Sequence, residues 1–123
     1  MEAELPPGLR VLLVEDELLV AMNVEAMLDA LGCVVVAAAA RVDEALRVVE
    51  REALDAAVLD VSLDGQPSFP VADALAARGV PFVFATGYGA SGLREDLRDR
   101  PALQKPFRLL QLARTLAGAL PPR

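Results

Sequence analysis

Five side chains suited to phosphoryl or metal chemistry stand at the ends of apolar runs that lie far apart in the sequence. They are two acids after the first run and one residue at the end of each of three later runs: Glu15, Asp16, Asp60, Thr86 and Lys105. The strands of an open parallel sheet end at a common crevice, so we expect these side chains to meet there. Three carboxylates repel one another unless cations join them. Their oxygens favour a hard divalent ion, and Mg²⁺ suits a site that keeps several waters.

This set of side chains also indicates phosphoryl transfer. A carboxylate can act as a nucleophile and form an acyl phosphate. Asp60 is the best candidate because it stands alone at the end of a central strand, whereas Glu15 and Asp16 are better placed as metal ligands. The backbone carbonyl of Ser62 could reach the same ion. Lys105 is the only lysine in the chain, and with a metal it would neutralise charge on the phosphoryl oxygens.

The elements that must position these residues alternate along the chain. Strands are predicted over 10–14, 33–40, 56–60, 80–86 and 102–104. Helices are predicted over 17–31, 42–53, 70–78, a short stretch around Leu93 and Leu97, and 107–120. The strands are continuous apolar runs, which is typical of a parallel sheet with helices on both faces. The fold class is therefore α/β, with a doubly wound, five-stranded parallel sheet.

The last predicted helix carries a leucine-rich pattern with helical spacing. We predict that its buried stripe consists of Leu109, Leu110, Ala113, Leu116, Ala117 and Leu120.

Composition excludes several classes of function. The chain has 123 residues, no histidine, one cysteine and a net charge of −6. One domain over 9–120 fits this length, with a loose lead-in over 1–8 and a tail over 121–123. The absence of histidine rules out histidine-based metal sites and serine–histidine triads within the chain, and the negative charge argues against a nucleic-acid partner. No apolar stretch approaches the roughly 20 residues of a membrane helix and no signal peptide is visible, so we expect a cytoplasmic protein without membrane insertion.

Four motifs together resemble the receiver domain of bacterial two-component response regulators. They are "LLVEDE" at 12–17, "AVLDVSL" at 57–63, "FATGY" at 84–88 and "QKPF" at 104–107. The resemblance covers about residues 9–120 and implies a flavodoxin-like sheet with strand order 2-1-3-4-5.

Roles for the candidate site residues follow from the same resemblance. It implies that Asp60 is the phosphoacceptor and that Glu15, Asp16 and Asp60 bind Mg²⁺. It also implies that Thr86 is the switch hydroxyl, that Lys105 pairs with the phosphoryl group, and that the Lys105–Pro106 peptide is cis.

The "FATGY" motif is similar to that of a subset called the FATGUY response regulators, which are mostly single-domain proteins often tied to stress signalling. Many receivers carry an aromatic switch residue three positions before the lysine, where this chain has Ala102. We therefore expect Tyr88, two residues after Thr86, to take part of that role.

The predicted function is a phosphoacceptor switch and not an enzyme. Its expected partners are a histidine kinase or histidine phosphotransferase as donor and a downstream protein as target. Three alternatives remain open: a phosphate sink or shuttle, a metal-dependent phosphohydrolase with an aspartate nucleophile, and a degenerate receiver that binds partners without phosphorylation. The "GYGASG" stretch at 87–92 spells a dinucleotide fingerprint, but it follows the fourth strand and lacks the acid that should come about twenty residues later. We interpret its glycines as local flexibility near the site.

Overall fold

The computed structural model describes residues 5–87 and 93–121. Its strands are β1 Arg10–Val14, β2 Val34–Ala39, β3 Ala56–Asp60, β4 Ser62–Leu63, β5 Gln66–Pro67, β6 Phe82–Thr86 and β7 Ala102–Gln104. Its α-helices are α1 Leu18–Ala30, α2 Val42–Arg51, α3 Phe69–Ala77 and α4 Leu109–Ala119, and a 3₁₀ turn spans Glu95–Leu97. Within the described residues, no helix is both long enough and apolar enough to cross a bilayer.

Five of the strands form one parallel sheet in the order β2-β1-β3-β6-β7. The other two strands, β4 and β5, form a separate antiparallel hairpin. When the strands of the main sheet alone are counted, its order is the predicted 2-1-3-4-5. The α/β, doubly wound fold class is confirmed.

The sheet separates two hydrophobic clusters because successive strand side chains point to opposite faces. Leu12 and Val14 of β1 pack with α2, α3 and the 3₁₀ turn, whereas Val11 and Leu13 pack with α1 and α4. All four side chains are at most 2% exposed. This two-sided burial explains why the strands are continuous apolar runs and why their polar residues are confined to their ends.

The hairpin is an element that the sequence prediction missed. No strand was predicted between Asp60 and the helix over 70–78, but residues 62–63 and 66–67 pair across a tight turn. Both turn residues, Asp64 and Gly65, have positive φ angles, of 50° and 81°. Glycine adopts this backbone region readily and aspartate tolerates it, so their sequence is compatible with the turn.

The prediction for the buried face of the last helix was wrong in part. Leu112, Ala113 and Leu116 are the buried residues of α4, while Leu109 and Leu110 are 41% and 51% exposed. Leucines occupy both faces of this helix, so the sequence spacing permits either orientation. Packing against the sheet selects the face that carries Leu112.

Candidate functional site

Four strands of the main sheet deliver the predicted site residues to its carboxyl edge. Asp60 and Thr86 are the last residues of β3 and β6, Glu15 follows β1 directly, and Lys105 follows β7. The backbone N–H of Lys105 donates to the carbonyl of Thr86 at 2.8 Å, which fixes the start of the loop after β7. The strand ends therefore meet at one crevice, which is the usual ligand position in an open parallel sheet.

Lys105 joins two acids that lie far away in the sequence. Its Nζ donates to Glu15 Oε1 at 2.7 Å and to Asp60 Oδ2 at 3.1 Å. The side chains of Lys105, Glu15 and Asp60 are 20%, 3% and 13% exposed. Charge-assisted hydrogen bonds of this kind are strong when solvent is largely excluded.

Three carboxyl groups lie close enough together to share a cation. One carboxylate oxygen from each of Glu15, Asp16 and Asp60 lies within 4.8 Å of the other two. When ionised, three carboxylates and one ammonium group carry a net charge of −2, which a divalent cation would balance. Oxygen donors are the ligands that Mg²⁺ prefers, so this donor set fits the ion expected from the sequence.

Backbone N–H groups hold two of these carboxylates in place. The N–H of Asp64 donates to Asp16 Oδ2 at 2.8 Å, and the N–H of Glu17 lies 3.2 Å from Glu15 Oε2. The first of these bonds gives the hairpin a function, since its positive-φ turn points an N–H at an acid 48 residues earlier in the chain. Asp64 was not among the predicted site residues, so this backbone contact was not foreseen from the sequence.

Burial and hydrogen bonding act in opposite directions on the ionisable groups of the site. Burial raises the pKa of Glu15 to about 7, against the opposing effect of the Lys105 hydrogen bond. Burial acts to raise the pKa of Asp16 also, but the hydrogen bond from the Asp64 N–H and those from its other neighbours together outweigh burial, and the pKa is lowered. For Lys105, burial acts to lower the pKa, and the hydrogen bonds to Glu15 and Asp60 outweigh it and raise the pKa. The lysine is therefore a fixed positive charge at neutral pH.

The remaining predicted residues lie near this centre or outside the described part of the chain. The N–H of Ser62 is 3.5 Å from Asp60 Oδ1, Thr86 is 2% exposed, and the Lys105–Pro106 peptide is cis. Tyr88 lies outside the described residues.

The comparison with family profiles matches residues 11–117 to the family described as "Response regulator receiver domain". The comparison with curated protein sequences gives no match.

Several solved structures resemble the chain closely. SdrG from Sphingomonas melonis Fr1 is 46% identical, with a TM-score of 0.84 over 94% of this chain and 98% of that chain. The PhyR stress response regulator is 31% identical, with a TM-score of 0.77 over 96% of this chain and 47% of that one. The chain thus spans about half the length of PhyR. The receiver domain of sensor histidine kinase PA1611 from Pseudomonas aeruginosa PAO1, solved with a magnesium ion coordinated in its active-site cleft, is 30% identical, with a TM-score of 0.75 over 91% and 97% of the two chains.

Proposed function

This chain belongs to the response regulator receiver family, and from that premise we propose that it is a phosphorylation-controlled switch in which Asp60 accepts the phosphoryl group. Members of this family are generally phosphoacceptor switches and not enzymes. We assign the switch domain to residues 9–120, with 1–8 as a lead-in and 121–123 as a tail.

The proposed chemistry begins with the carboxylate of Asp60. One of its oxygens attacks the phosphorus of a phosphohistidine on a kinase or phosphotransferase, and the P–N bond breaks as the imidazole leaves. The product is an acyl phosphate on Asp60. Mg²⁺, when bound, would supply Lewis-acid neutralisation of the phosphoryl charge. Glu15, Asp16, Asp60 and the Ser62 carbonyl are the groups we assign to hold it.

Lys105 and Thr86 are assigned to respond to the new group. The Lys105 ammonium already contacts Asp60 Oδ2, so it is well placed to follow the charge onto a phosphoryl oxygen. The Thr86 hydroxyl would donate a hydrogen bond to another phosphoryl oxygen. These contacts would shift the chain between two populations of conformers, with Tyr88 as a second switch residue.

We infer that the output is a contact with another protein that depends on phosphorylation. The similarity to the PhyR stress response regulator favours a role in stress signalling. A phosphate sink or shuttle would use the same acceptor site without a downstream target. Phosphotransfer profiling against the histidine kinases of the source organism, followed by pull-down with phosphorylated and unphosphorylated protein, separates these two roles.

One observation carries the proposal: the only lysine of the chain touches Asp60 and Glu15 beside a third carboxylate. A structural ion pair would need one acid. Two acids that bind one lysine, with a third carboxylate beside them, instead leave an excess of negative charge, which suits a cation and a phosphoryl group that arrive from outside.

Incubation with acetyl phosphate and Mg²⁺ tests the acceptor. We expect the intact mass to rise by one phosphoryl group, and we expect Asp60→Asn to abolish this gain. Asp64→Asn is the matched control, because it removes a nearby carboxylate while leaving the backbone N–H that Asp16 uses; it should be phosphorylated like the wild type. Continuing release of phosphate from phosphate esters would support the hydrolase alternative and contradict the switch.

A further inference from the structure

Arg94 bridges α3 and the 3₁₀ turn. Its guanidinium donates to both carboxylate oxygens of Asp73 on α3, at 2.7 and 3.1 Å. It also donates to both oxygens of Asp96 in the 3₁₀ turn, at 2.7 and 3.1 Å. The two acids thus bind the planar guanidinium group from two sides. Asp96 follows Arg94 closely in the chain, whereas Asp73 belongs to a separate element, α3.

The same guanidinium is connected to the strand that carries Thr86. Arg94 lies over the ring of Phe69 with 5.6 Å between its Cζ and the ring centroid. Phe69 makes an edge-to-face contact with Phe84, with 6.3 Å between centroids. Phe84 is fully buried in β6, two residues before Thr86. A chain of direct contacts therefore runs from Asp73 through Arg94 and Phe69 to the strand end at the site.

Two leucines anchor the segment that Arg94 holds. Leu93 and Leu97 are 3% and 6% exposed and belong to the cluster that includes α3 and Phe84. Leucine anchors alone are non-directional, whereas a bidentate arginine–carboxylate pair fixes an orientation. The Arg94 fork therefore determines how residues 93–97 sit on α3.

We propose that Arg94 is a positioning residue: its bond to Asp73 holds residues 93–97 against α3 and restrains the end of β6 while Asp60 is unphosphorylated. This inference rests on the proposed function. The contact exists together with the unmodified Asp60–Lys105 pair. Loss of a contact that belongs to one conformer shifts the population toward the other. Removal of the Arg94–Asp73 bond should therefore favour the phosphorylated conformer.

A matched pair of substitutions tests the inference. Asp73→Asn weakens the Arg94–Asp73 pair, which joins the 3₁₀ segment to α3. Asp96→Asn weakens the Arg94–Asp96 pair, which lies within the 3₁₀ segment. Both remove one negative charge from a similarly exposed carboxylate, at 57% and 65% exposure. Beryllofluoride with Mg²⁺ serves as the phosphoryl mimic, and binding is followed by NMR titration. We expect Asp73→Asn to tighten the apparent affinity by about threefold, the scale of an exposed ion pair, and Asp96→Asn to leave it unchanged.

A charge exchange provides the rescue. Arg94→Asp combined with Asp73→Arg restores an inter-element pair, so its affinity should return toward the wild-type value, while Arg94→Asp alone should bind more tightly. Thermal unfolding of every variant accompanies the titrations, because a merely structural role would lower the melting temperature without separating the affinities. Equal affinities for Asp73→Asn and Asp96→Asn, in a wild type that does bind beryllofluoride, would overturn this inference alone. Failure of the wild type to bind would overturn the proposed function and this inference together.

Discussion

Among the residues of the site, Glu15 has the surroundings that disfavour the ionised form of its side chain most strongly. It is 5% exposed and lies beside Asp60, so only Lys105 and the Glu17 N–H offset the loss of water. Its pKa is raised to about 7, whereas the pKa of Asp16 is lowered. Glu15 and Asp16 therefore ionise at different pH values, and Glu15 of the metal-free site gains its negative charge near neutrality.

This pKa predicts a pH-dependent stability for the metal-free protein. The folded state holds the Glu15 proton more tightly than the unfolded state, whose pKa is near the ordinary 4.5. The contribution of this group to stability is therefore complete below pH 4.5 and is lost as the pH rises through about 7. Glu15→Gln should remove this pH dependence, which is on the order of 3 kcal/mol in full, because one pKa unit corresponds to about 1.4 kcal/mol. Urea unfolding of both proteins in chelator at pH 5 and pH 8 measures it, and the same slope in the variant would contradict the assignment.

Most substitutions in the site should weaken Mg²⁺ binding, but removal of Lys105 should strengthen it. Lys105→Met deletes the cation that competes for Glu15 and Asp60, so the carboxylates become more attractive to Mg²⁺. We expect the dissociation constant for Mg²⁺ to fall roughly tenfold at low ionic strength, while phosphorylation by acetyl phosphate decreases. Arg108→Met, which removes an exposed cation beside α4, is the control and should alter both quantities little. Isothermal titration calorimetry gives the affinity; weaker Mg²⁺ binding by Lys105→Met would refute the electrostatic account.

At the scale of elements, the site depends on short pieces of backbone that have weak sequence signals. The five sheet strands could be predicted because they are apolar runs, and four of them end in or directly before a polar residue. The hairpin over 62–67 could not, because two-residue strands that contain proline and lie beside glycine look like a loop. Its effect on Asp16 appears only when the turn and the end of β1 are brought together by the fold. The Arg94–Asp73 pair escaped prediction for the same reason, since a separation of 21 residues carries no periodic signal.

The orientation of α4 gives a direct test of an element that sequence spacing left ambiguous. Leu112→Ala should lower the free energy of unfolding by about 2–5 kcal/mol, because a fully buried leucine leaves a cavity. Leu110→Ala removes the same atoms from a side chain that is 51% exposed and should cost less than about 1 kcal/mol. Chemical denaturation of the two variants provides the comparison. A larger loss for Leu110→Ala would mean that the helix is rotated relative to the sheet.

At the scale of the whole molecule, the sheet is shared by both hydrophobic clusters. Each central strand contributes side chains to the α2–α3 face and to the α1–α4 face. Loss of either helix layer would expose the strand side chains of that face and one side of the backbone ladder that both clusters share. The two faces should therefore unfold as one cooperative unit, as small single domains usually do.

Native-state hydrogen exchange checks this cooperativity. Leu75→Ala opens a cavity on the α3 face, where Leu75 is fully buried. We expect protection of the slowest amides in β1 and in α4 to fall by equal factors, although α4 lies on the opposite face. Surface substitution of Arg47, an exposed residue of α2, is the control and should leave protection unchanged. A fall confined to the α2–α3 face would show that the two layers unfold separately.

The partnership between Lys105 and Glu15 also has a consequence for how the chain is made. The lysine lies 90 residues after its acidic partner. A ribosome adds about 5–20 residues per second, so the nascent chain carries the early acids for on the order of ten seconds before their counter-charge is synthesised. The central strand β1 likewise waits for β3, because Val11 pairs with Ala56. Late closure of this kind should make folding slow and largely post-translational, because the contacts that build the site join residues far apart in the chain.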